Sequence, residues 1–246
     1  MSYTAKTVLA YCMANGIACD EQTADRFAAL YTMLIDFNAH TNVTALKTEE
    51  AICVRHFLDS IGVLAFDIIP HGASVIDIGC GAGFPGLPIK MLREDIDISF
   101  VDSTAKKLAF TASVSERFGL NATVFPERAE ELVAKGHREK YDIAVSRAVA
   151  SLPVLCELCL PYVKIGGAFV AYKSKKECDP DNKASELSLA AKAIPALGGR
   201  IESIRDVTLT EDDGSIDEHA LIVIRKTKPT NQIYPRRYAA IVKKTL

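Results

Sequence analysis

Fifteen residues, Ser74-Val75-Ile76-Asp77-Ile78-Gly79-Cys80-Gly81-Ala82-Gly83-Phe84-Pro85-Gly86-Leu87-Pro88, constrain the fold more than any other part of this chain. They open with a short, apolar, β-branched run, the signature of a strand buried on both faces. Glycines follow at alternate positions, where the missing Cβ admits positive φ and lets a ligand lie directly on the backbone. Leu87 to Leu92 then reads as the first turns of a helix, with proline tolerated near its start. Strand, glycine loop and helix N-terminus together predict a nucleotide-type cradle in an α/β sheet.

The rest of the chain extends this unit. Strands are predicted at Asp97 to Val101, Ala122 to Phe125, Tyr141 to Val145 and Gly167 to Tyr172. Helices are predicted over Thr104 to Phe118 and Asn182 to Leu197, so strand and helix alternate as in a parallel sheet covered on both faces. Arg200 to Leu209 and His219 to Arg225 read as a closing antiparallel pair around an Asp212-Asp213-Gly214 turn. Upstream, Thr4 to Asn15, Asp20 to Asn38 and Glu49 to Phe66 read as helices; Phe27, Leu30, Tyr31, Leu34 and Phe37 give the second an apolar stripe. Pro70-His71-Gly72 divides these helices from the sheet. The expected organisation is a helical extension over 1–72 packed on a catalytic domain over 73–246 that ends in a basic tail.

The 246 residues carry a formal charge of −2 and no apolar run near the roughly 20 residues that span a bilayer. No secretory signal pattern opens the chain, and a cytosolic protein is expected. Seven cysteines, an odd number, read as reduced thiols. Cys156 and Cys159 have metal-like spacing but sit in an apolar helical run without a second pair, so they read as core, and no metal site is expected. The charge is unevenly spread: Arg225 to Leu246 holds seven Lys or Arg and no Asp or Glu. Arg236, Arg237, Lys243 and Lys244, with Lys173, Lys175 and Lys176 after the fifth strand, form a candidate phosphate-binding patch; a merely solvated tail is the competing reading.

Two glycine patterns overlap. Gly81-x-Gly83-x-x-Gly86 satisfies the dinucleotide fingerprint, whereas Gly79-x-Gly81-x-Gly83 resembles motif I of the S-adenosylmethionine-dependent methyltransferases. Asp77 separates them. A carboxylate at the strand end would repel a pyrophosphate but attract the ammonium of a methionine moiety. Asp102 ends the second strand 23 positions after Gly79, where such sheets place an acid on ribose hydroxyls. Arg147 ends the fourth strand, at the crevice where they bind ligands. His56 reads as a packing or hydrogen-bonding residue, and no catalytic residue is assigned.

From about Asn42 onward the sequence resembles the bacterial ribosomal RNA small subunit methyltransferase G family, also called glucose-inhibited division protein B. The resemblance rests on Thr41-Asn-Val-Thr-Ala45, Val54-Arg-His-Phe-Leu-Asp-Ser60 and Asp77-Ile-Gly-Cys-Gly-Ala-Gly-Phe-Pro-Gly-Leu-Pro88. Val101-Asp-Ser103 with Lys106-Lys107, Arg128-Ala-Glu130, Ser146-Arg-Ala148 and Tyr234-Pro-Arg-Arg237 extend it. The family's usual glycine and proline after Pro-Arg-Arg are replaced by Tyr238-Ala239-Ala240-Ile241-Val242. The resemblance implies a Rossmann-like, class I S-adenosylmethionine-dependent methyltransferase fold. Its seven-stranded sheet would be mostly parallel, with an antiparallel last strand and the N-terminal helical extension.

The implied activity is methylation of N7 of a guanine in the decoding-region loop of 16S rRNA. The partner would be 16S rRNA or the small ribosomal subunit, and a monomer is expected. By resemblance Gly79, Phe84, Ala129, Glu130 and Arg147 contact S-adenosylmethionine; Asp77, Gly81, Gly83 and Asp102 join them from the residue reading above. The missing motifs agree. Ser146-Arg-Ala-Val stands where exocyclic-amine methyltransferases often carry Asn/Asp-Pro-Pro-aromatic, and no cysteine has a nucleophile's context. The alternatives are a small-molecule methyltransferase, a nicotinamide-dependent oxidoreductase and a non-catalytic RNA-binding protein.

Overall fold

The computed structural model describes residues 1–211 and 213–246. Its centre is a seven-stranded sheet of order β3-β2-β1-β4-β5-β7-β6. The strands are β1 (Ser74–Ile78), β2 (Asp97–Val101), β3 (Thr123–Phe125), β4 (Tyr141–Arg147), β5 (Val163–Ser174), β6 (Gly199–Thr210) and β7 (Ile216–Lys226). β1 pairs in parallel with β2 and β4, and β7 inserts antiparallel between β5 and β6. The strand order reverses beside β1, so the connections leaving the carboxyl ends of β1 and β4 run to opposite faces and leave the crevice in which such sheets bind ligands.

Successive β1 side chains feed opposite faces, as a strand's period of two requires. Val75 joins one apolar cluster and Ile76 and Ile78 the other. The first cluster lies under the N-terminal helices α1 (Tyr3–Ala14) and α2 (Glu21–Thr41), capped by Ser2 and Asp20. Phe27, Leu30 and Leu34 of α2 and Phe57 are fully buried there. Beside them pack α5 (Gly86–Leu92) and α6 (Ala105–Phe118), the latter ended by Gly119 at φ 63°.

The predicted helix over 49–66 is four short turns. α3 (Glu49–Ile52) runs into a π-helical turn (Cys53–Leu58), then α4 (Asp59–Ile61) and a 3-10 turn (Gly62–Phe66). On the opposite face lie α7 (Ala129–Leu132), α8 (Leu152–Cys159), α9 (Glu186–Leu189) and α10 (Ala193–Ala196). The helix predicted over Asn182 to Leu197 is thus a broken pair. Ser185 caps its start late, and Pro195 lacks the N–H that would bond back to residue 191.

Cys156 and Cys159 are fully buried in the second cluster. Asp212 of the predicted turn lies outside the described residues; Gly214 has φ 81°, and Asp213 accepts from Ser215 N at 2.8 Å. The chain ends in α11 (Tyr238–Lys243), whose Ile241 is buried against α8. Among the described residues no helix is long and apolar enough to cross a membrane.

Candidate functional site

The loop after β1 is held by backbone and carboxylates together. Gly79 N and Cys80 N both donate to Val101 O, at 2.8 and 3.2 Å, tying the loop to β2. Asp102 accepts from Gly81 N at 3.0 Å through one oxygen and from Thr104 N at 2.7 Å through the other. An ionised carboxylate has about four lone-pair sites, so Asp102 keeps capacity for hydroxyl donors. Gly81, at φ 56°, is the position the ligand reading needs: a Cβ there would meet nothing closer than Lys107 Cδ at 4.0 Å. At Gly83 a Cβ would lie 2.4 Å from Leu87 Cδ1, so that glycine serves packing.

Around this loop opens a cleft of about 720 Å³ lined by Gly79, Gly81, Phe84, Asp102 and Arg147 among others. A smaller depression of about 190 Å³ shares Gly79, Asp102 and Val149 with it and adds Ala129 and Glu130. Asp77 and Gly83 line neither. Asp77 is fully buried beneath the loop and accepts from Gly86 N at 2.8 Å, so it braces the turn from behind instead of facing an ammonium. Burial pushes its carboxyl up to about 7, and its Oδ1 finds no hydrogen-bond partner among the described residues.

Arg147 reaches back toward the N-terminal helices. Its NH1 donates to Asp59 Oδ2 at 2.6 Å and to Arg55 O at 3.1 Å, and its guanidinium sits 5.6 Å from the Phe84 ring centre. Phe84 is stacked on its other neighbour, His56, at 4.8 Å and 9°. His56 Nε2 lies 2.8 Å from Thr44 Oγ1, and burial, aided by Arg147, lowers the imidazole to about 3. It is neutral and keeps its place in the stack.

Asp59, 3 % exposed, also takes His219 Nδ1 at 2.6 Å. Burial pushes its carboxyl up, but the hydrogen bond from His219 and the charge of Arg147 outweigh this and hold it below the usual range. His219 is raised in turn, chiefly by its hydrogen bond to Asp59. The sequence reading missed Asp59 and His219. His56 and Asp59 stand three apart in a quoted motif, a helical spacing that signals a shared face. His219 lies 160 positions from Asp59, and nothing local announces that pairing.

The expected cationic patch divides. Lys173 is buried, with Nζ 2.6 Å from a Glu186 oxygen and donating to Ala150 O at 2.8 Å, so it is no solvated phosphate partner. Lys175 bridges Glu218 and Asp206 at 2.9 and 3.2 Å. Arg236 clamps the buried Glu157. Lys176, Arg237, Lys243 and Lys244 are exposed. No cluster of His, Cys, Asp or Glu suited to a metal occurs among the described residues.

Residues 23–204 match the family model described as rRNA small subunit methyltransferase G. The chain belongs to that family. Among its relatives, the ribosomal RNA small subunit methyltransferase G of Clostridium novyi (strain NT) is 38% identical over 92% of this chain and 90% of its own. That of Desulforamulus reducens is 41% identical over 89% of each chain. The fold has wider company: a SAM-dependent methyltransferase structure from Methanosarcina mazei superposes with TM-score 0.50 at 16% identity, covering 67% of this chain and 97% of that one. A second solved structure, from work on the conversion of a disulfide bond into a thioacetal group during echinomycin biosynthesis, gives 0.54 at 17% identity, covering 75% of this chain and 87% of that one. Family and fold together make the protein an S-adenosylmethionine-dependent methyltransferase of small-subunit rRNA.

Proposed function

We propose that this chain, acting as a cytoplasmic monomer, methylates N7 of a guanine in the decoding-region loop of 16S rRNA. We place the adenosine end of the cofactor in the smaller depression and its methionine end in the larger cleft. The observation that carries this placement is Gly81, whose missing Cβ leaves open space above a loop stapled by Asp102. S-adenosylmethionine supplies an electrophilic methyl on its sulfonium. Asp102 offers its remaining lone pairs to ribose hydroxyls near Ala129 and Glu130. Phe84, stacked on His56 with the Arg147 guanidinium beside both rings, gives the cleft a rigid apolar floor.

Guanine N7 presents a lone pair and no proton, so the chain needs no general base, and alignment supplies most of the rate. The site's groups agree with that demand. His56 is held neutral. Cys80, the cysteine lining the cleft, is kept a thiol because burial pushes it well above its ordinary value, which disfavours a thiolate mechanism. Exposed Lys176, Arg237, Lys243 and Lys244 would meet RNA phosphates.

Tritiated methyl transfer onto small subunits from a strain lacking the enzyme, followed by nucleoside analysis, should yield 7-methylguanosine; another labelled nucleoside would refute the target. Gly81→Val should abolish calorimetric binding of S-adenosylmethionine while circular dichroism stays native. A folded Gly81→Val protein with unchanged affinity would overturn the placement.

A further inference from the structure

A tail that serves RNA alone should lie apart from the cofactor cleft, yet Tyr238 of α11 lines the smaller depression together with Asp102, Ala129 and Glu130. We propose that the C-terminal segment is a built part of the cofactor site. Tyr238 closes its adenosine end, and the Glu157–Arg236 pair is the positioning device that holds Tyr238 there. The inference rests on the cofactor placement above.

Glu157 is 1 % exposed in the otherwise apolar α8. A carboxylate buried there is costly unless its oxygens are paired. Arg236 meets that need completely: its backbone N and Nε donate to Oε1 at 2.9 and 2.8 Å, and NH2 to Oε2 at 2.5 Å. The fork suits a carboxylate in a way a lysine would not. Docking of the tail is therefore tied to folding of α8.

Further bonds fix the approach. Thr230 N donates to Glu139 Oε1 at 2.9 Å, and Arg138 NH2 to Tyr234 O at 2.5 Å. On the far side of Tyr238, Ile241 is fully buried in the second core. An aromatic residue pinned on both sides is a preorganised wall, which an adenine's π face can use at little ordering cost. The Arg128 guanidinium lies 5.8 Å from the Tyr238 ring centre. Tyr238 and Arg128 also line an adjoining depression with Arg237, so the cofactor wall and the exposed cations belong to one segment.

The chain contains no tryptophan, so Tyr238→Trp introduces a single indole as a reporter. Titration with S-adenosylhomocysteine should change its emission saturably, with the midpoint found by calorimetry, whereas L-methionine, lacking the adenine, should not. Tyr238→Ala should raise the Kd for S-adenosylhomocysteine by at least about fivefold, as losing one base-stacking partner does; Tyr238→Phe should bind close to wild type. Arg236→Gln should raise the cofactor KM more than it lowers kcat.

A silent indole in a Tyr238→Trp protein that binds by calorimetry overturns the proposal, as does wild-type affinity in Tyr238→Ala. Should Tyr238→Trp itself not bind, the alanine and phenylalanine pair decides. Gly81→Val separates the two readings. If it fails to bind while Tyr238→Ala binds normally, only the tail proposal falls; if it binds normally, the placement falls.

Discussion

Removing the Arg147 guanidinium would act on stability as well as on the cleft. At the end of β4 the residue looks from sequence like a crevice arginine that could be truncated at little structural cost. It is instead 12 % exposed and bound to an aspartate that is 3 % exposed. Breaking such a pair from one side leaves a buried charge and costs about 3–5 kcal/mol. His219 remains on Asp59 in the variant, so the lower end applies. Arg147→Ala should lose about 3 kcal/mol in urea unfolding, and a loss under about 0.5 kcal/mol, the ordinary surface value, would contradict the pairing. Asp77 and Asp102 make the same point about residues. Their positions at strand ends were legible, but the hydrogen bonds that turn one into a brace and the other into a staple were not.

Elements were legible where the pattern is local. The strand, glycine loop and helix from Ser74 onward declare themselves through β-branching, alternate glycines and a tolerated proline. The segment 49–66 reads as one helix because its apolar spacing is nearly helical, yet a π-helical turn at Cys53–Leu58 carries Arg55 and His56 to the cleft, with Asp59 following at the start of α4. Such turns cluster at functional sites and leave almost no trace in periodicity. In α11 and its approach, charge alone could not tell a fastener from a docking group. Arg236 belongs to the first kind, whereas Arg237, Lys243 and Lys244 are exposed and are proposed for the second. Neutralising those three while keeping Arg236 should reduce the log–log salt slope of RNA binding by roughly 0.7 to 0.9 per lost contact. Calorimetric affinity for S-adenosylmethionine should stay at the wild-type value. An unchanged slope would return these cations to simple solvation.

At the scale of the whole molecule, two buried groups pull acid stability in opposite directions. Asp77 has a folded value of about 7 against an ordinary 3.8, so its contribution is full below about pH 4 and is lost as pH rises through 7. His56 has a folded value of about 3 against 6.5, so its contribution is full above 6.5 and is lost as pH falls toward 3. The two offset each other across pH 4–6.5. Asp77→Asn, which can still accept from Gly86 N, should therefore lose stability on acidification more steeply than wild type, and His56→Gln less steeply. Parallel urea midpoints for wild type and Asp77→Asn between pH 4 and 7 would refute this. What this sequence settles by itself is what near neighbours settle: the α/β class, the glycine cradle, the acid closing β2 and the family motifs. These follow from steric limits on φ, from side-chain period and from residues within one turn of each other. Which charges were already spoken for was settled by the closed fold. Asp59 with Arg147 and His219, Glu157 with Arg236 and Glu186 with Lys173 come from distant stretches of chain. A charge has no sequence-local period, and its partner is chosen by desolvation and distance after the core has closed.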